Sequence, residues 1–353
     1  MKLVGIGDLF IPGKYILSGF SEFKAMGIEL CTVEWELENF DELQKINQLI
    51  EQKGSEAYEP PDYIFNAIKD ADIIITEFCP VTKKIIDECK NLKLVGVLRA
   101  GTENINLEYA TKRNILVYNT PGRNADAVAD FTIGLLICEC RNIAKGLAEL
   151  KKGKWVRKYA NSGNIPDLPG KIVGIIGLGE IGKKVAKRLN GFDVSILGYD
   201  PYIETPPENV QMVSLDELFE NSDFITVHVR ATKETEKLVD ERLLRKMKTT
   251  SYFINTSRSS IVDEKALYQV LENKYIAGAA LDVFDVEPPG KDYPLLQLDN
   301  VTVTPHMAGG SNDAFYNSPK KLADEMIKLW DGQSSGFIVN KCVFKKDFLS
   351  KSE

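Results

Sequence analysis

Residues 171–200 read KIVGIIGLGEIGKKVAKRLNGFDVSILGYD and contain the most informative pattern in the chain. An apolar run over 171–176 is followed directly by a G-x-G-x-x-G motif, and then by a helix-like segment with apolar residues four positions apart. A second apolar run, 194–199, ends at Asp200. The pattern predicts a strand, a tight turn, a helix and a second strand with an acid at its end. The glycines of the motif are Gly177, Gly179 and Gly182.

Each glycine of this motif suits a dinucleotide site for a physical reason. The first permits the tight turn, the second lets the backbone approach a pyrophosphate, and the third allows the helix to pack closely on the strand. The pyrophosphate then lies at the helix N-terminus, where free N–H groups and the helix dipole favour an anion. The predicted cofactor contacts in this turn are Gly177, Gly179, Glu180, Ile181 and Gly182.

The acid at the end of the second strand indicates which dinucleotide binds. Asp200 follows Gly182 by 18 residues, about the offset of an acid that accepts a hydrogen bond from the ribose 2′-OH. Its charge would repel a 2′-phosphate, and residues 201–204 supply no cation. A G-x-G-x-x-G motif alone can be an ordinary glycine turn, but the strands, the helix and the acid around it favour a site for NAD rather than NADP.

Composition limits the other classes of function. A length of 353 residues suggests two domains, and a formal charge of −7 gives no basic surface for nucleic acid. The N-terminal sequence predicts a first strand rather than a signal peptide, and no apolar run is long enough to span a bilayer. We therefore expect a cytoplasmic protein without a membrane partner or metal site. The scattered cysteines, expected to be reduced thiols, are Cys31, Cys79, Cys89, Cys138, Cys140 and Cys342.

Strand-like and helix-like segments alternate along the chain, which predicts parallel sheets covered by helices. An α/β unit of about the first 118 residues precedes the glycine motif and lacks such a motif itself, so it is the candidate substrate domain. One long helix is predicted over 124–150, a six-stranded sheet follows, and a last helix over 313–330 is expected to return to the first domain. The strands predicted in the first domain are Leu3 to Ile6, Ile28 to Val33, Asp72 to Thr76, Leu94 to Leu98 and Ile115 to Tyr118.

Three polar residues follow strand-like runs in the second half of the chain. Arg258, Glu287 and His306 each come shortly after such a run, and ligands of open α/β sheets bind outside the carboxyl ends of the strands. Taken singly, the arginine could be a surface residue, the glutamate a loop acid and the histidine a turn residue. Together, downstream of a dinucleotide motif, they predict a catalytic set.

Nearly the whole chain resembles the NAD-dependent D-isomer-specific 2-hydroxyacid dehydrogenases, the family of phosphoglycerate, glycerate and D-lactate dehydrogenases. The resemblance implies two doubly wound parallel-sheet domains with a cleft between them: a flavodoxin-like substrate domain, 1–118, and a Rossmann NAD-binding domain, 119–308. A C-terminal helix and tail, 309–353, would return to the substrate domain. The matching segments are VLRAGTENINLEYATKRNILVYNTPGRNADAVADFTIGLLI, GLGEIGKKVAKRL with YDP, HVRATKETEKLVD, INTSRSSIVDEKAL, GAALDVFDVEP and VTPHMAGG.

The resemblance also implies roles for the three polar residues. Arg258 matches the arginine that holds the substrate carboxylate and keto oxygen, and its planar fork suits that task better than a lysine would. His306 matches the general acid/base, and Glu287 the acid that pairs with it. Protonated His306 would donate to the carbonyl oxygen during reduction, and neutral His306 would accept the hydroxyl proton during oxidation. Asp282 matches a position on the nicotinamide side of the cofactor, and Thr256 lies nearby in sequence.

In the first domain, the loop of Ala100, Gly101 and Thr102 matches the segment whose N–H groups hold the substrate carboxylate, and Arg99 is close enough to add charge. Arg99, Arg123 and Arg258 could serve an anionic substrate larger than pyruvate, such as glycerate or a phosphoglycerate. Alternatively, Arg123 only caps or pairs with the long helix, and the two interpretations stand about equal.

Other features leave alternatives open. His228 matches a common family histidine near the cofactor, although packing is the preferred interpretation. Arg230 stands where the family often has proline, and Ser259 where it often has glycine; Arg230 could reach the cofactor or face solvent. An NAD-sensing regulator or corepressor on the same scaffold is the alternative to an enzyme. The resemblance further implies a homodimer, with the helix over 124–150 as a candidate interface element.

Overall fold

A computed structural model describes residues 1–344 and divides the chain into two compact units. The first unit comprises Met1–Arg123 together with the chain from Asn312 onward, and the second unit comprises Asn124–Ser311. The predicted divisions after residues 118 and 308 fall a few residues before these bounds. The end of the predicted tail, 345–353, lies outside the described residues.

Twelve strands form the sheets of the described chain. In chain order they are β1 (Lys2–Gly7), β2 (Glu29–Glu34), β3 (Ile73–Thr76), β4 (Leu94–Val97), β5 (Leu116–Tyr118), β6 (Ile172–Ile176), β7 (Ser195–Tyr199), β8 (Gln211–Met212), β9 (Phe224–Val227), β10 (Tyr252–Asn255), β11 (Gly278–Leu281) and β12 (Val301–Val303).

Thirteen α-helices connect or follow these strands within residues 1–344. They are α1 (Gly13–Gly19), α2 (Phe40–Lys53), α3 (Asp62–Ile68), α4 (Lys83–Glu88), α5 (Leu107–Lys112), α6 (Ala125–Cys140), α7 (Ile143–Lys151), α8 (Glu180–Leu189), α9 (Leu215–Asn221), α10 (Glu241–Leu244), α11 (Glu264–Glu272), α12 (Asn312–Tyr316) and α13 (Ser318–Trp330). None of these helices is both long enough and apolar enough to cross a bilayer.

The first unit is a doubly wound sheet with the flavodoxin-like order β2-β1-β3-β4-β5. All of its strand pairs are parallel, with Leu3 opposite Leu30 on one side and opposite Ile73 on the other. Every residue of β3 and β4 is buried, because hydrophobic clusters pack against both faces of the sheet. After β1 the chain continues to β2 on one side of the sheet, and after β3 it continues to β4 on the other side. The switch point of this sheet therefore lies between β1 and β3.

The second unit contains seven parallel strands in the order β12-β11-β10-β9-β6-β7-β8. The prediction of six strands missed β8, a two-residue strand that pairs with β7 and carries too few residues to show an alternating pattern. With β8 included, the strands from β11 to β8 have the order of a Rossmann sheet, and β12 is added at the edge beside β11. The switch point of this sheet lies between β6 and β9.

The prediction of one helix over 124–150 was wrong, because the segment forms α6 and α7. Asn142, between them, has a φ of 56°, a left-handed conformation that a right-handed helix cannot propagate. Its buried side chain donates to Asn161 Oδ1 at 2.7 Å, which holds the break in place. Asparagine tolerates this conformation, so the helix can break at Asn142 although the apolar sequence pattern continues past it.

The predicted last helix is also divided, at Asn317, into α12 and α13. Pro319 lies in the first turn of α13, where its missing N–H has no helical partner to lose. Helix α13 packs against α1 of the first unit, and a Cβ at Gly19 would lie only 2.6 Å from the Lys320 nitrogen. Glycine at this position therefore permits the close approach of the two helices.

His228 follows β9 and is buried beside the switch point of the second sheet. Its Nε2 lies 3.0 Å from Thr226 Oγ1, and its Nδ1 has no hydrogen-bond partner within residues 1–344. Burial without a countercharge lowers the pKa of His228 from 6.5 to about 3, so the ring is neutral in the folded chain. This environment supports the packing interpretation.

The lowered pKa of His228 predicts that the stability of the folded chain depends on pH. Between pH 6.5 and about 3 the unfolded chain binds a proton at this residue that the folded chain does not, so stability contributed by the neutral ring is lost as pH falls through this window. We expect His228→Gln to flatten the fall in the free energy of unfolding by up to about 1.4 kcal/mol per pH unit. Urea denaturation of the wild type and of His228→Gln from pH 7 to pH 4.5 measures the free energy of unfolding at each pH. If that free energy falls equally steeply with pH in both proteins, the lowered pKa of His228 is contradicted.

Candidate active site

Two glycines of the turn after β6 lie so close to neighbouring backbone atoms that no side chain fits at their positions. Gly177 has a φ of +91°, and a Cβ there would lie 2.8 Å from the His228 carbonyl carbon. A Cβ at Gly182 would lie 2.0 Å from the Gly177 oxygen. The first and third glycines of the motif are therefore required by backbone conformation and by the packing of α8 on the turn.

The second glycine has a different environment. A Cβ at Gly179 would meet no atom within 4 Å, and the residue caps α8 without a side-chain hydrogen bond to the helix. The backbone N–H groups of the first turn, including those of Glu180 and Ile181, are thus not capped by a side chain at this end. Open space at the N-terminus of a ten-residue helix fits a pyrophosphate.

Asp200 lies half-buried at the end of β7, the strand next to β6. Its Oδ2 accepts a hydrogen bond from the Leu178 N–H at 2.8 Å, and its Oδ1 accepts one from the Tyr202 N–H at 2.9 Å. The carboxylate therefore fixes the glycine turn from the neighbouring strand. Each of its oxygens retains a second lone pair, so the group can also accept a hydrogen bond from a ribose hydroxyl.

The three predicted catalytic residues follow adjacent strands of the same sheet. Arg258 comes after β10, Glu287 after β11 and His306 after β12, and these strands are neighbours in the sheet. Because all three strands are parallel, their carboxyl ends lie along one edge. The sheet thus brings a guanidinium, a carboxylate and an imidazole to one side of the second unit.

Asn255 shapes the turn that carries Arg258. Its Oδ1 accepts hydrogen bonds from the backbone and hydroxyl of Ser257 at 2.9 and 2.8 Å, and its Nδ2 donates to the Arg258 carbonyl at 3.0 Å. The Arg258 side chain is exposed, with Nη1 donating to the Ser257 carbonyl at 2.7 Å. Sequence reasoning did not select Asn255, although an asparagine at a strand end is a typical turn signal.

Glu287 and His306 form a hydrogen-bonded pair. Glu287 Oε2 lies 2.7 Å from His306 Nδ1, and its Oε1 accepts a hydrogen bond from the Phe284 N–H at 3.0 Å. The backbone contact fixes the carboxylate, which in turn orients the ring. With Nδ1 held by the carboxylate, Nε2 is the nitrogen that can exchange a proton with a ligand.

Asp282 holds the turn on which His306 lies. The fully buried carboxylate accepts hydrogen bonds from the Thr304 hydroxyl at 2.6 Å and from the N–H groups of Met307 and Ala308 at 2.9 and 2.8 Å. His306 itself has a φ of 48°, uncommon for a residue with a side chain. The three bonds on either side of it stabilise this conformation. The sequence predicted a cofactor contact for Asp282, and this positioning contact was not foreseen.

Thr256 contributes to packing within the second unit. Its Oγ1 lies 2.8 Å from Thr132 Oγ1 on α6, and both side chains are buried. The bond connects the strand end that precedes Arg258 to the helix behind it.

In the first unit, the loop of Ala100, Gly101 and Thr102 follows β4. Asn119 Nδ2 donates to the Ala100 carbonyl at 2.6 Å, and a Cβ at Gly101 would lie 2.3 Å from Glu103 Oε2. A larger residue at the centre of the loop would displace the Glu103 side chain from its ion pair with Arg99. The carbonyl contact fixes the loop at the carboxyl edge of the sheet.

The two first-unit arginines considered for substrate binding, Arg99 and Arg123, are both paired with acids. Arg99 lies 3.2 Å from Glu51 Oε1 and 2.8 Å from Glu103 Oε2, and Arg123 lies 2.7 Å from Glu77 Oε1. The alternative that Arg123 pairs with the long helix was wrong, because its partner follows β3. These acidic partners reduce the positive charge that the two arginines can offer to a ligand, which weakens the interpretation that they serve a phosphate.

Comparison with known proteins identifies the family. Residues 133–308 match the model of the D-isomer specific 2-hydroxyacid dehydrogenase, NAD binding domain. A glyoxylate reductase of Thermofilum pendens is 40% identical over 305 residues, which cover 83% of this chain and 88% of that protein. A D-3-phosphoglycerate dehydrogenase of Methanocaldococcus jannaschii is 38% identical over 82% of this chain, but the match spans only 55% of its length.

A solved structure shows the same fold. The NAD complex of a D-isomer specific 2-hydroxyacid dehydrogenase from Lactobacillus delbrueckii has a TM-score of 0.74 at 20% identity and covers 96% of this chain and 100% of its own. These three proteins are dehydrogenases and reductases, which gives no support to the regulator alternative. The chain belongs to the D-isomer specific 2-hydroxyacid dehydrogenases, a family of NAD-dependent oxidoreductases whose NAD-binding domain it carries.

Proposed function

We propose that this dehydrogenase interconverts a small 2-ketoacid and its D-2-hydroxyacid, with Arg258, Glu287 and His306 as its catalytic residues. The observation that carries the proposal is the 2.7 Å pair between Glu287 and His306, on a strand edge that also presents Arg258. A carboxylate, an oriented imidazole and a planar cation are what proton transfer to a carboxylate-bearing ketone requires.

The proposed roles follow from the chemistry of each group. Bound NADH supplies the hydride that reaches the keto carbon. Arg258 binds the carboxylate and polarises the keto oxygen, and His306 Nε2 donates the proton that this oxygen gains. Glu287 keeps the imidazole oriented throughout, and Asp282 holds the turn beneath it. In the reverse direction His306 Nε2 accepts the hydroxyl proton.

The two units have different proposed tasks. The second unit holds the cofactor through the glycine turn, Asp200, Thr256 and the Asp282 region, while the first unit is the substrate domain. Its loop, Ala100 to Thr102, supplies N–H groups for the substrate carboxylate. The six cysteines are free thiols, three of them buried, which supports the cytoplasmic location that we also propose.

Replacing the proposed acid/base tests the catalytic assignment. We expect His306→Ala to lower kcat for glyoxylate reduction by roughly a hundredfold or more, because general acid/base catalysis is lost. NADH binding, followed by fluorescence titration, should persist. Steady-state kinetics on glyoxylate and pyruvate measure the effect. A variant that keeps turnover within a few-fold of the wild type would remove His306 from the mechanism.

Replacing the ribose acid tests the cofactor assignment. Asp200→Ala should weaken NADH binding and narrow the preference over NADPH, because the acceptor for the 2′-OH and the charge that repels a 2′-phosphate are both removed. The matched control is Glu204→Ala, an exposed acid four residues later. The ratio of kcat/KM for the two cofactors is the measurement. If Asp200→Ala and the control show the same ratio, Asp200 does not select the cofactor.

We further propose that two copies of the chain form a homodimer through α7. Ile143, Leu147 and Leu150 lie three or four residues apart on one helix face, and each is 55% exposed. Trp155, just beyond the helix, is 80% exposed. A contiguous apolar face of this kind is typical of a protein interface. A second copy that presents the same face would bury it symmetrically.

A charge on this face tests the dimer. Leu147→Glu should shift the protein from dimer to monomer, because a carboxylate in an apolar interface loses its hydration without gaining a partner. Met26→Glu, at an exposed apolar residue of the first unit, is the control and should leave the dimer intact. Sedimentation at micromolar concentration measures the mass. A monomeric wild type, or a dimeric Leu147→Glu variant, would contradict the proposal.

A further inference from the structure

Two buried acids lie at the switch point of the first sheet. Asp8 directly follows β1 and Glu77 directly follows β3, and the chain leaves these neighbouring strands toward opposite edges. In doubly wound sheets this position, outside the carboxyl ends of the strands, is where ligands bind. The two acids therefore occupy the place in the first unit where a binding site is expected.

Neither acid has its hydrogen-bonding capacity filled by residues 1–344. Asp8 is 4% exposed, and its Oδ1 accepts hydrogen bonds from the Phe10 and Ile11 N–H groups at 2.9 Å, while its Oδ2 has no partner within residues 1–344. Glu77 is fully buried and forms the ion pair with Arg123, but its Oε2 has no hydrogen bond in the same part of the chain. Buried polar atoms without partners are rare in native proteins, so these need an explanation.

The neighbouring arginines add unpaired donors beside these acceptors. Arg123 Nη1 and Arg99 Nε are buried and lack hydrogen-bond partners among the described residues. The Arg123 guanidinium lies 4.7 Å from the ring centre of Phe315, and that of Arg99 lies 5.0 Å from the ring centre of Phe78. Each guanidinium group therefore lies close to an aromatic ring. The carboxylate acceptors and guanidinium donors thus lie together in a buried region beside aromatic rings.

The charge of the cluster argues against a phosphate. Arg99 is neutralised by Glu51 and Glu103, so Arg123 faces two carboxyl groups with a single positive charge. Burial is the main cause that raises the pKa of Asp8 to about 6, and burial together with the charge of Asp8 raises the pKa of Glu77 well above its ordinary value. With one of the two carboxyl groups ionised, its charge balances that of Arg123, so the cluster offers no concentration of positive charge to a phosphate. Hydroxyl groups, which both donate and accept, match this mixed set.

We propose that the cluster of Asp8, Glu77 and Arg123 recognises the hydroxyl-bearing end of an unphosphorylated 2-ketoacid, such as hydroxypyruvate or a longer sugar-derived ketoacid. The inference rests on the proposed function, in which the Ala100 to Thr102 loop holds the carboxylate of the same substrate. That loop follows β4, the neighbour of β3, and Arg99 at its start packs over the ring next to Glu77. A ketoacid without a hydroxyl would leave the buried groups unpaired, and such sites discriminate strongly.

The wild-type enzyme provides the first test. Hydroxypyruvate and pyruvate differ by one hydroxyl group, and phosphohydroxypyruvate carries a phosphate in its place. NADH oxidation should give a kcat/KM for hydroxypyruvate about tenfold or more above that for either of the others. 2-Keto-D-gluconate should also exceed pyruvate. A preference for phosphohydroxypyruvate, or equal values for pyruvate and hydroxypyruvate, would overturn the inference without any variant that must fold.

Variants locate the recognition. In Glu77→Gln and Asp8→Asn the ratio of kcat/KM for hydroxypyruvate to that for glyoxylate, which has no carbon beyond the keto group, should fall about tenfold. Glu88→Gln, at the exposed end of α4, should keep the wild-type ratio. Thermal melting and NADH titration identify folded variants. A wild-type ratio in both folded variants would overturn the inference.

The same measurements distinguish an error in the role of the cluster from an error in the proposed function. If the wild type reduces glyoxylate but neither the substrate panel nor the variants show dependence on the hydroxyl group, only the role of the cluster is refuted. If the wild type binds NADH but reduces none of these ketoacids, the proposed function itself is refuted.

Discussion

The three hydrogen bonds that the Asp282 carboxylate accepts are the constraint on which the proposed catalytic edge depends. They join the end of β11 to the turn after β12 and keep His306 in a left-handed conformation. With the backbone held there, His306 Nδ1 lies 2.7 Å from Glu287 Oε2. A buried carboxylate suits this task because its two oxygens offer several acceptor positions, whereas an amide would present one oxygen.

Both units use the same property of parallel sheets. Because parallel strands all end on the same side of the sheet, the residues that follow their carboxyl ends lie close together even when they are far apart in sequence. In the second unit this edge gathers the glycine turn, Asp200, Arg258 and His306. In the first unit it gathers Asp8, Glu77 and the Ala100 to Thr102 loop. The proposed division of labour, with the cofactor in one unit and the substrate in the other, assigns one doubly wound parallel sheet to each task.

Both units contain buried acids, and these acids differ in how fully their oxygens are paired. Glu139 on α6 forms an ion pair with Lys145 at 2.7 Å and accepts a hydrogen bond from the Thr302 hydroxyl, and a Cβ at Gly278 would lie 2.4 Å from it. Its contacts are complete, and it connects the helix to the sheet. Asp8 and Glu77 keep carboxylate oxygens without hydrogen bonds in the described part of the chain, which is why we propose that they bind a ligand.

The sequence alone determined the order of strands and helices, the glycine turn, the acid after β7 and the three polar residues at strand ends, because these depend on local periodicity and residue type. The tertiary structure decided what local patterns do not encode: the break at Asn142, the short strand β8, the pairing of Arg123 with Glu77, and the positioning of His306 by Asp282. Each of these depends on the partner that folding brings near, over separations of up to 46 residues between Glu77 and Arg123. A carboxylate in a sequence is only an acid; its burial and its neighbours determine whether it holds a turn, pairs with a cation or is left to bind a ligand.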